Sequence, residues 1–211
     1  MLAPLLRIEP LAADFGRGPF AAVLMTSANA ARAVASHSRL ADLRSVPLYT
    51  VGTRSAEAAR AVGFAITRSA EGDAHDLIGV VARELAGVSS PLLYLAGEDR
   101  SVDLAEELGR HGLEVRTAIV YRAAAAQRLP AEPEQAIAAG EIDGVLHYSR
   151  RSAEVFLRCA DVAGRRERAL ALTHFCLSPQ VAAPLTEAGA TDVRIAARPE
   201  ELALLDLVGS A

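Results

Sequence analysis

A chain of 211 residues, of which 51% are hydrophobic, is long enough to bury a core in one domain or in two small ones. A net charge of -4 and an aromatic content of 4%, without Trp, provide neither the basic surface nor the stacking side chains of a nucleic-acid-binding protein. No stretch approaches the about 18 apolar residues of a membrane span, and the N-terminus lacks the pattern of a secretory signal. These features predict a cytoplasmic globular protein that binds neither nucleic acid nor a membrane.

The cysteines and histidines of the chain do not form a metal-binding pattern. Cys159 and Cys176 fall on a predicted helix and a predicted strand, without C-x-x-C spacing. That placement favours reduced thiols in a core over a disulfide or a metal site. The histidines lack ligand spacing, and His147 and His174 lie in predicted strands, where we expect them as packed or edge residues.

The first predicted element is an extended segment at residues 5–9 (LLRIE), which Pro10 closes. A loop over 12–19 leads to residues 21–35 (AAVLMTSANAARAVA), where an apolar strand runs directly into an alanine-rich helix. Ser27 or Asn29 is expected to cap that helix. Most of the chain is built from this combination of strand, polar loop and helix.

Three more strands of the first half, PLYTV, FAITR and PLLYLA, alternate with helices near 55–61, 74–86 and 100–111. Strands that alternate with helices in this way require a parallel sheet that is covered on both faces. The run LEVRTAIVYR (113–122) is a further extended segment. We expect it to pair or run together with LLRIE, as the connection between two lobes.

The second half repeats the pattern of the first. Residues 144–156 match 21–35, and residues 171–190 match 47–64, as strand, small polar loop and helix. The predicted strands are GVLHY, ALTHF and VRIAA, with helices near 134–139, 152–160, 179–188 and 199–208. The chain therefore divides into a connecting strand (1–10), a first α/β lobe (11–115), a return strand and linker (116–128) and a second α/β lobe (129–211).

One strand-helix unit of the first lobe, PLLYLA with its following helix, has no counterpart in the second lobe. Its place in the second sheet would be between LLRIE and GVLHY. A parallel strand with an unpaired edge exposes backbone groups and apolar side chains. We therefore expect a weaker second lobe in an otherwise monomeric protein, with association between chains through the exposed sheet as a consequence.

Six arginines stand beside predicted strand ends, which indicates an anionic small molecule as the ligand. The alternative is that these arginines are solvated residues of loops and helix faces. They are Arg54, Arg68, Arg100, Arg122, Arg150 and Arg151.

Six short motifs, taken in order, resemble the uroporphyrinogen-III synthase family. They are TSANAA (26–31), VGTRSA (51–56), LYLAG (93–97), VYR (120–122), YSRRSA (148–153) and LSPQVA (177–182). The resemblance covers essentially the whole chain. It implies an α/β fold with two flavodoxin-like parallel-sheet domains joined by a two-stranded connection, the second domain lacking the N-terminal strand-helix unit that is usual in the family.

The chemistry implied by this resemblance is ring closure of hydroxymethylbilane, a linear tetrapyrrole, to uroporphyrinogen III in heme biosynthesis. Water is lost, the last pyrrole ring (ring D) is inverted, and no cofactor or metal takes part. Because the precursor cyclises unaided without inversion, the protein must supply conformational control and charge placement more than a strong nucleophile. The sequence is in keeping with this, since it carries no Walker loop, G-x-S-x-G or H-E-x-x-H motif.

A substrate rich in carboxylates can be held by helix N-termini and by the hydroxyl and guanidinium groups beside them. In open α/β sheets these helix starts lie at the carboxyl ends of the strands, where ligands bind. For each Ser or Thr, plain helix capping is an equally good interpretation. The candidate substrate-binding residues are Thr26, Ser27, Asn29, Thr53, Arg54, Ser55, Ser149, Arg150, Ser152, Ser178 and Gln180.

Tyr121 is the candidate catalytic residue. In the family that the chain resembles, a tyrosine in a V-Y motif at the end of the connecting strand faces the cleft and assists departure of the hydroxyl group. Val120 and Tyr121 match that motif. A phenol can donate a proton to a leaving oxygen near neutral pH. The alternative is an ordinary strand tyrosine.

Two other classes of protein stay open on the residues alone. A truncated, non-catalytic paralogue is favoured by the missing strand-helix unit. A two-lobed small-molecule sensor shares the architecture but would carry a signal peptide or an effector domain, and neither is visible in the sequence. Turnover of hydroxymethylbilane by the purified protein separates the enzyme from the non-catalytic paralogue.

Overall fold

The computed structural model describes residues 1–100 and 102–209, and over these ranges the chain is an α/β protein of nine strands and ten helices. Ser101, which falls in a helix predicted near 100–111, and residues 210–211 of the predicted second lobe lie outside the described ranges. The strands are β1 (Leu6–Pro10), β2 (Ala22–Met25), β3 (Leu48–Thr50), β4 (Thr67–Ser69), β5 (Leu92–Gly97), β6 (Val115–Ala125), β7 (Gly144–His147), β8 (Thr173–Cys176) and β9 (Asp192–Ile195). The helices are α1 (Ala28–Ala33), α2 (Leu40–Leu43), α3 (Thr53–Ala61), α4 (Ala74–Glu84), α5 (Leu104–Arg110), α6 (Ala131–Ala139), α7 (Arg150–Val162), α8 (Arg166–Leu170), α9 (Pro179–Glu187) and α10 (Glu201–Gly209).

The chain forms two compact units. The continuous unit is Ile8–Ala123, and the composite unit combines Met1–Arg7 with Ala124–Ala211. The boundaries between the units fall within β1 and β6. No helix in the described part of the chain combines the length and the apolar composition that crossing a membrane takes.

The main sheet has the strand order β1-β6-β5-β2-β3-β4. Its pairs from β6 to β4 are parallel, with Leu24 of β2 opposite both Tyr49 of β3 and Tyr94 of β5. β1 and β6 pair, as the sequence predicts. They run antiparallel, because the Leu11 amide donates to the Val120 carbonyl at 2.8 Å, while the Ala126 amide donates to the Leu5 carbonyl, also at 2.8 Å.

Both faces of this sheet are buried in the continuous unit, because apolar residues occupy every position of its central strands. Val23 and Met25 of β2 pack into one core with α1 and α3, whereas Leu24 packs into the other core with α4 and α5. β2 and β5 are buried throughout. The parallel sheet covered on both faces, which the alternation of strands and helices predicts, is thus confirmed.

The composite unit contains a parallel sheet of the order β7-β8-β9. One face packs against α7 and α9 through a core that includes Phe156, Cys159 and Leu185. A smaller cluster on the other face joins Phe175 to Leu204 of α10. Within the described residues, β7 is an edge strand of this sheet, and three of its four residues are only half-buried.

Backbone amides of β7 are expected to exchange with solvent at least about tenfold faster than those of β2 and β5, because an edge strand opens without disrupting a buried core. β2 is the internal reference, since it is fully buried and pairs on both sides. Hydrogen exchange followed residue by residue at neutral pH measures the ratio. Equal protection of Val145 and Val23 would contradict this expectation.

Several helices differ from the sequence predictions. α5 begins at Leu104, later than the start expected near residue 100. α6 begins at Ala131, earlier than the start expected at Glu134, because Pro133 falls in the first turn, where no intrahelical N–H bond is needed. α2 and α8 were not predicted. They span four and five residues, too few for an apolar period to show.

Candidate functional site

The carboxyl ends of β2, β3 and β5 meet at one edge of the main sheet, because these strands are parallel neighbours. A cavity of about 230 Å³ lies there, within the continuous unit. Apolar parts of its wall come from Val51 and Leu104. Its polar wall comprises Thr26, Asp73, Tyr94, Asp99, Arg100 and Tyr121. The cavity therefore combines hydroxyl, phenol and charged groups at the edge where ligands bind in open α/β sheets.

A hydrogen bond between Thr26 and Tyr94 joins β2 to β5 at this edge. The Thr26 Oγ1 and the Tyr94 hydroxyl are 3.0 Å apart. Only 2% of Tyr94 is exposed, and this burial raises the pKa of its phenol above the ordinary value. The phenol consequently stays protonated at neutral pH and can fix the orientation of the Thr26 hydroxyl.

Tyr121 lies on β6 beside the end of β5. Its side chain is half-buried and lines the cavity, and its carbonyl accepts a hydrogen bond from the Glu98 amide at 2.9 Å. The Arg100 guanidinium donates from Nη1 to the Gly97 carbonyl at 3.0 Å. These bonds fix the end of β5 and therefore the part of the cavity wall that Tyr121 and Tyr94 form.

The charge of the cavity is mixed. Asp73 caps α4 by accepting hydrogen bonds from the His75 and Asp76 amides, and these bonds lower the pKa of its carboxyl group. Asp99 adds a second carboxylate beside the single guanidinium of Arg100. The positive charge that the arginines led us to expect is therefore not concentrated in this cavity.

Other arginines at the predicted strand ends bind neighbouring carboxylates. Arg68 contacts Glu84 at 2.6 Å, and Arg122 contacts Glu9 at 2.9 Å. Both are exposed, as expected of solvated residues. For Arg68 and Arg122, the structure favours this interpretation over a direct role in binding an anion.

Among the described residues of the continuous unit that we proposed for substrate binding, only Thr26 lines the cavity. Ser27 caps α1, as predicted, by accepting from the Asn29 amide at 3.2 Å, and the Asn29 Oδ1 accepts from Arg32 at 3.2 Å. These two side chains are thus engaged by their own helix.

The first turn of α3 carries Thr53, Arg54 and Ser55. Gly52 is the N-cap residue, so no side chain of the described residues caps this helix, and Thr53 and Arg54 are exposed. The amides of this turn can therefore meet a ligand. Ser55 is only 7% exposed, which leaves little of it for contact with a substrate.

The remaining candidates lie in the composite unit. Ser149 and Ser152 form a capping box at the start of α7, with the Ser149 Oγ accepting from the Ser152 amide at 3.1 Å. Arg150 is exposed and contacts Glu154 at 2.9 Å. Ser178 is the half-buried N-cap residue of α9, without a side-chain capping bond in the described structure, and Gln180 is exposed in the first turn.

A buried histidine pair joins β7 to β8. The His147 Nε2 and the His174 Nδ1 are 3.1 Å apart, and Phe156 meets both rings edge-on. Burial lowers the pKa of both imidazoles, that of His147 to about 3. They are packed core residues, as predicted, and are neutral at physiological pH.

The two cysteines are free and buried, as predicted. Burial raises the pKa of the Cys176 thiol to about 11. Within residues 1–100 and 102–209, no group of three or more His, Cys, Asp or Glu side chains could hold a metal ion.

Tyr94 and the two carboxylates of the cavity were not singled out by the sequence. Tyr94 sits inside the apolar run PLLYLA, which predicts a core strand and gives a polar group no special role. The available signal was the alternation of side chains along the strand. Tyr94 lies two residues after Leu92 and therefore shares its face of the sheet, which α5 covers.

The fold and the cavity define an α/β protein whose parallel sheet presents phenol and hydroxyl groups at its ligand-binding edge. The family described as uroporphyrinogen-III synthase HemD matches residues 1–206. The chain belongs to this family, whose enzyme acts in heme biosynthesis on a tetrapyrrole substrate.

The solved structures that are similar to the chain include two synthases from bacteria. The uroporphyrinogen-III synthetase of Helicobacter pylori has a TM-score of 0.72 and 20% identity, over 98% of this chain and 90% of that one. A mutant uroporphyrinogen III synthase of Thermus thermophilus has a TM-score of 0.50 and 14% identity, over 98% of this chain and 86% of that one. At these identities the likeness shows a shared fold. Comparison with curated proteins gives no match.

Proposed function

We propose that the chain is a lyase that cyclises hydroxymethylbilane to uroporphyrinogen III, with loss of water and inversion of ring D. Membership of the uroporphyrinogen-III synthase family over residues 1–206 is the observation that carries this proposal. The sequence leads us to expect a cytoplasmic monomer. A non-catalytic paralogue or a small-molecule sensor is favoured by no feature of the strand-end cavity.

Tyr121 is the proposed acid. Its phenol would transfer a proton to the hydroxymethyl oxygen, so that the C–O bond breaks and water departs. The product of this step is a cationic azafulvene. The substituted carbon of ring D attacks this cation and forms a spiro intermediate, which fragments and recombines with the ring inverted. The final loss of a ring proton returns a proton to the phenolate. Support for the role comes from the position of Tyr121 in the wall of a strand-end cavity.

Thr26 is the proposed binding residue nearest to this chemistry. It lines the same cavity as Tyr121, and its hydroxyl is held by Tyr94 at 3.0 Å. Hydroxyl and amide donors at helix starts suit the carboxylates of the substrate. The proposal extends to the other candidates at these starts, which are Ser27, Asn29, Thr53, Arg54, Ser55, Ser149, Arg150, Ser152, Ser178 and Gln180.

The proposed architecture is a pair of flavodoxin-like domains. If β5 is counted as the first strand, the order β6-β5-β2-β3-β4 corresponds to the flavodoxin order 2-1-3-4-5. The order β7-β8-β9 then corresponds to the last three strands of that order, in the places of β2, β3 and β4. This correspondence supports the repeat read from the sequence.

Purified protein supplied with hydroxymethylbilane is expected to yield the type III isomer. Unaided cyclisation gives the type I isomer without inversion, so the isomer ratio distinguishes catalysis from background. Isomer-resolving chromatography of the products, with a protein-free reaction as the control, measures this ratio. Only type I product in both reactions would refute the proposed function.

A further inference from the structure

We propose that Gly97 is a positioning residue, which lets the Tyr121 ring lie over the end of β5 and face the cavity. The catalytic part of this inference rests on the proposed function, in which Tyr121 is the acid. The geometric part concerns the ring alone and is tested separately.

The pairing of β5 with β6 changes register at Gly97. The two strands pair regularly from Leu92 opposite Val115 to Ala96 opposite Ile119, but Gly97 is opposite Tyr121. Val120 is therefore an extra residue on β6. Because side chains alternate between the faces of a sheet, one extra residue decides which side chain stands beside Gly97.

The space beside Gly97 is occupied by the Tyr121 ring. A Cβ atom at position 97 would lie 2.7 Å from the Tyr121 Cζ and 2.8 Å from its hydroxyl oxygen. Gly97 is buried and does not have a positive φ, so the requirement for glycine here is one of space and not of backbone conformation.

The backbone around the contact is fixed by hydrogen bonds. The Glu98 amide donates to the Tyr121 carbonyl at 2.9 Å, and the Arg100 Nη1 donates to the Gly97 carbonyl at 3.0 Å. An alanine at position 97 would consequently be accommodated by movement of the ring and not of the strands. The phenol would leave its place in the wall of the cavity that Tyr94 and Thr26 also line.

The first experiment measures thermal unfolding of four proteins: the unchanged chain, Gly97→Ala, Tyr121→Ala and the double variant. Gly97→Ala is expected to lower the midpoint by about 4 °C or more when the ring is present, because overpacking of a buried site is costly. The same change should lower it by less than about 2 °C in the Tyr121→Ala protein, because the contact atoms are gone.

The matched control is Gly79→Ala. Gly79 lies on the exposed side of α4, where an added Cβ meets no atom within 4 Å. This variant should unfold at or above the midpoint of the unchanged chain, since alanine is the better helix former. Equal destabilisation by Gly97→Ala with and without the ring would overturn the inference. If Gly97→Ala does not fold, recovery of the fold on adding Tyr121→Ala supports it, and failure to recover overturns it.

The second experiment measures turnover. Gly97→Ala is expected to lower kcat by about 10- to 100-fold with little change in KM, since a displacement of about 1 Å can cost 100-fold. Adding it to Tyr121→Phe should lower kcat no further, because the hydroxyl that it displaces is already absent. A further loss of the same size would show that Gly97 acts by another route and would overturn the catalytic part.

The two proposals fail in different ways. Coupling in the unfolding experiment together with full activity of Tyr121→Phe would leave the ring-positioning role standing and would overturn the acid role of Tyr121. Type III product from the unchanged chain with no coupling in unfolding would uphold the proposed function and overturn the role of Gly97.

Discussion

Replacing Tyr121 with Phe is expected to lower kcat for hydroxymethylbilane by about 100-fold or more, because general acid catalysis of this kind contributes 10²–10⁴-fold. The substitution removes the hydroxyl and keeps the ring, so the packing against Gly97 and the fold should be retained. KM should stay within about twofold, since the lost interaction is made with the leaving oxygen in the transition state. Rates of type III product formation at saturating substrate measure the effect.

Tyr49→Phe is the matched control. Tyr49 lies on β3 in the same unit, is 3% exposed and donates from its hydroxyl to Glu84 at 3.1 Å, away from the cavity lining. Glu84 keeps its contact with Arg68 when this hydroxyl is removed. The control variant should retain its rate. Unchanged turnover by Tyr121→Phe as well would assign Tyr121 to packing.

The second large effect is a loss of stability at acidic pH. We expect the composite unit to lose about 2 kcal/mol of unfolding free energy between pH 7 and pH 5 for each histidine of the pair that stays neutral when folded. The pKa of His147 falls to about 3 and that of His174 is also lowered, both through burial. The unfolded chain therefore binds more protons than the folded chain below about pH 6.5.

The sign and the pH range follow from this difference. The stabilising contribution is present above the unfolded pKa of about 6.5, and it is lost as the pH falls towards the folded pKa. Asp192, which lies near His174, has a carboxyl pKa lowered by Arg194 and Thr173, so it stays ionised throughout this range. Asp192 consequently contributes little to the change between pH 7 and pH 5.

Urea unfolding of the composite unit at the two pH values measures the loss. The double variant His147→Gln/His174→Gln is expected to flatten the pH dependence, because neither amide binds a proton. His75→Gln serves as the control, since the His75 side chain is 76% exposed and outside the core. An unchanged slope in the double variant would show that other groups carry the acid sensitivity.

Local patterns were sufficient to predict the alternation of strands and helices. β2 is a continuous apolar run that ends at Met25, and Ser27 is a good capping residue at the start of the following helix. The local signals for strand, turn and helix therefore agree with one another. The short helices α2 and α8 escaped because their few residues carry no period. A hydrophobic pattern can be recognised in the sequence when it extends over a whole strand or helix, but not when the helix has only four or five residues.

The cavity was only partly predictable, because its geometry depends on pairs of strands. Thr26 was found from its position after a predicted strand, and Tyr121 was found from the V-Y motif of the family that the chain resembles. The contact of Tyr121 with Gly97 depends on a register shift between β5 and β6, which neither strand encodes alone. The bond of Tyr94 to Thr26 likewise joins residues 68 positions apart.

The placement of the cysteines makes the composite unit separately observable. Both thiols of the chain, Cys159 and Cys176, lie in that unit and are buried. A disulfide reagent added to the native protein can reach them only when α7 or β8 opens, because the thiolate that reacts must also be exposed to solvent. The continuous unit contains no cysteine. The labelling rate of the unmodified chain therefore measures opening of the composite unit alone, and no engineered probe is needed.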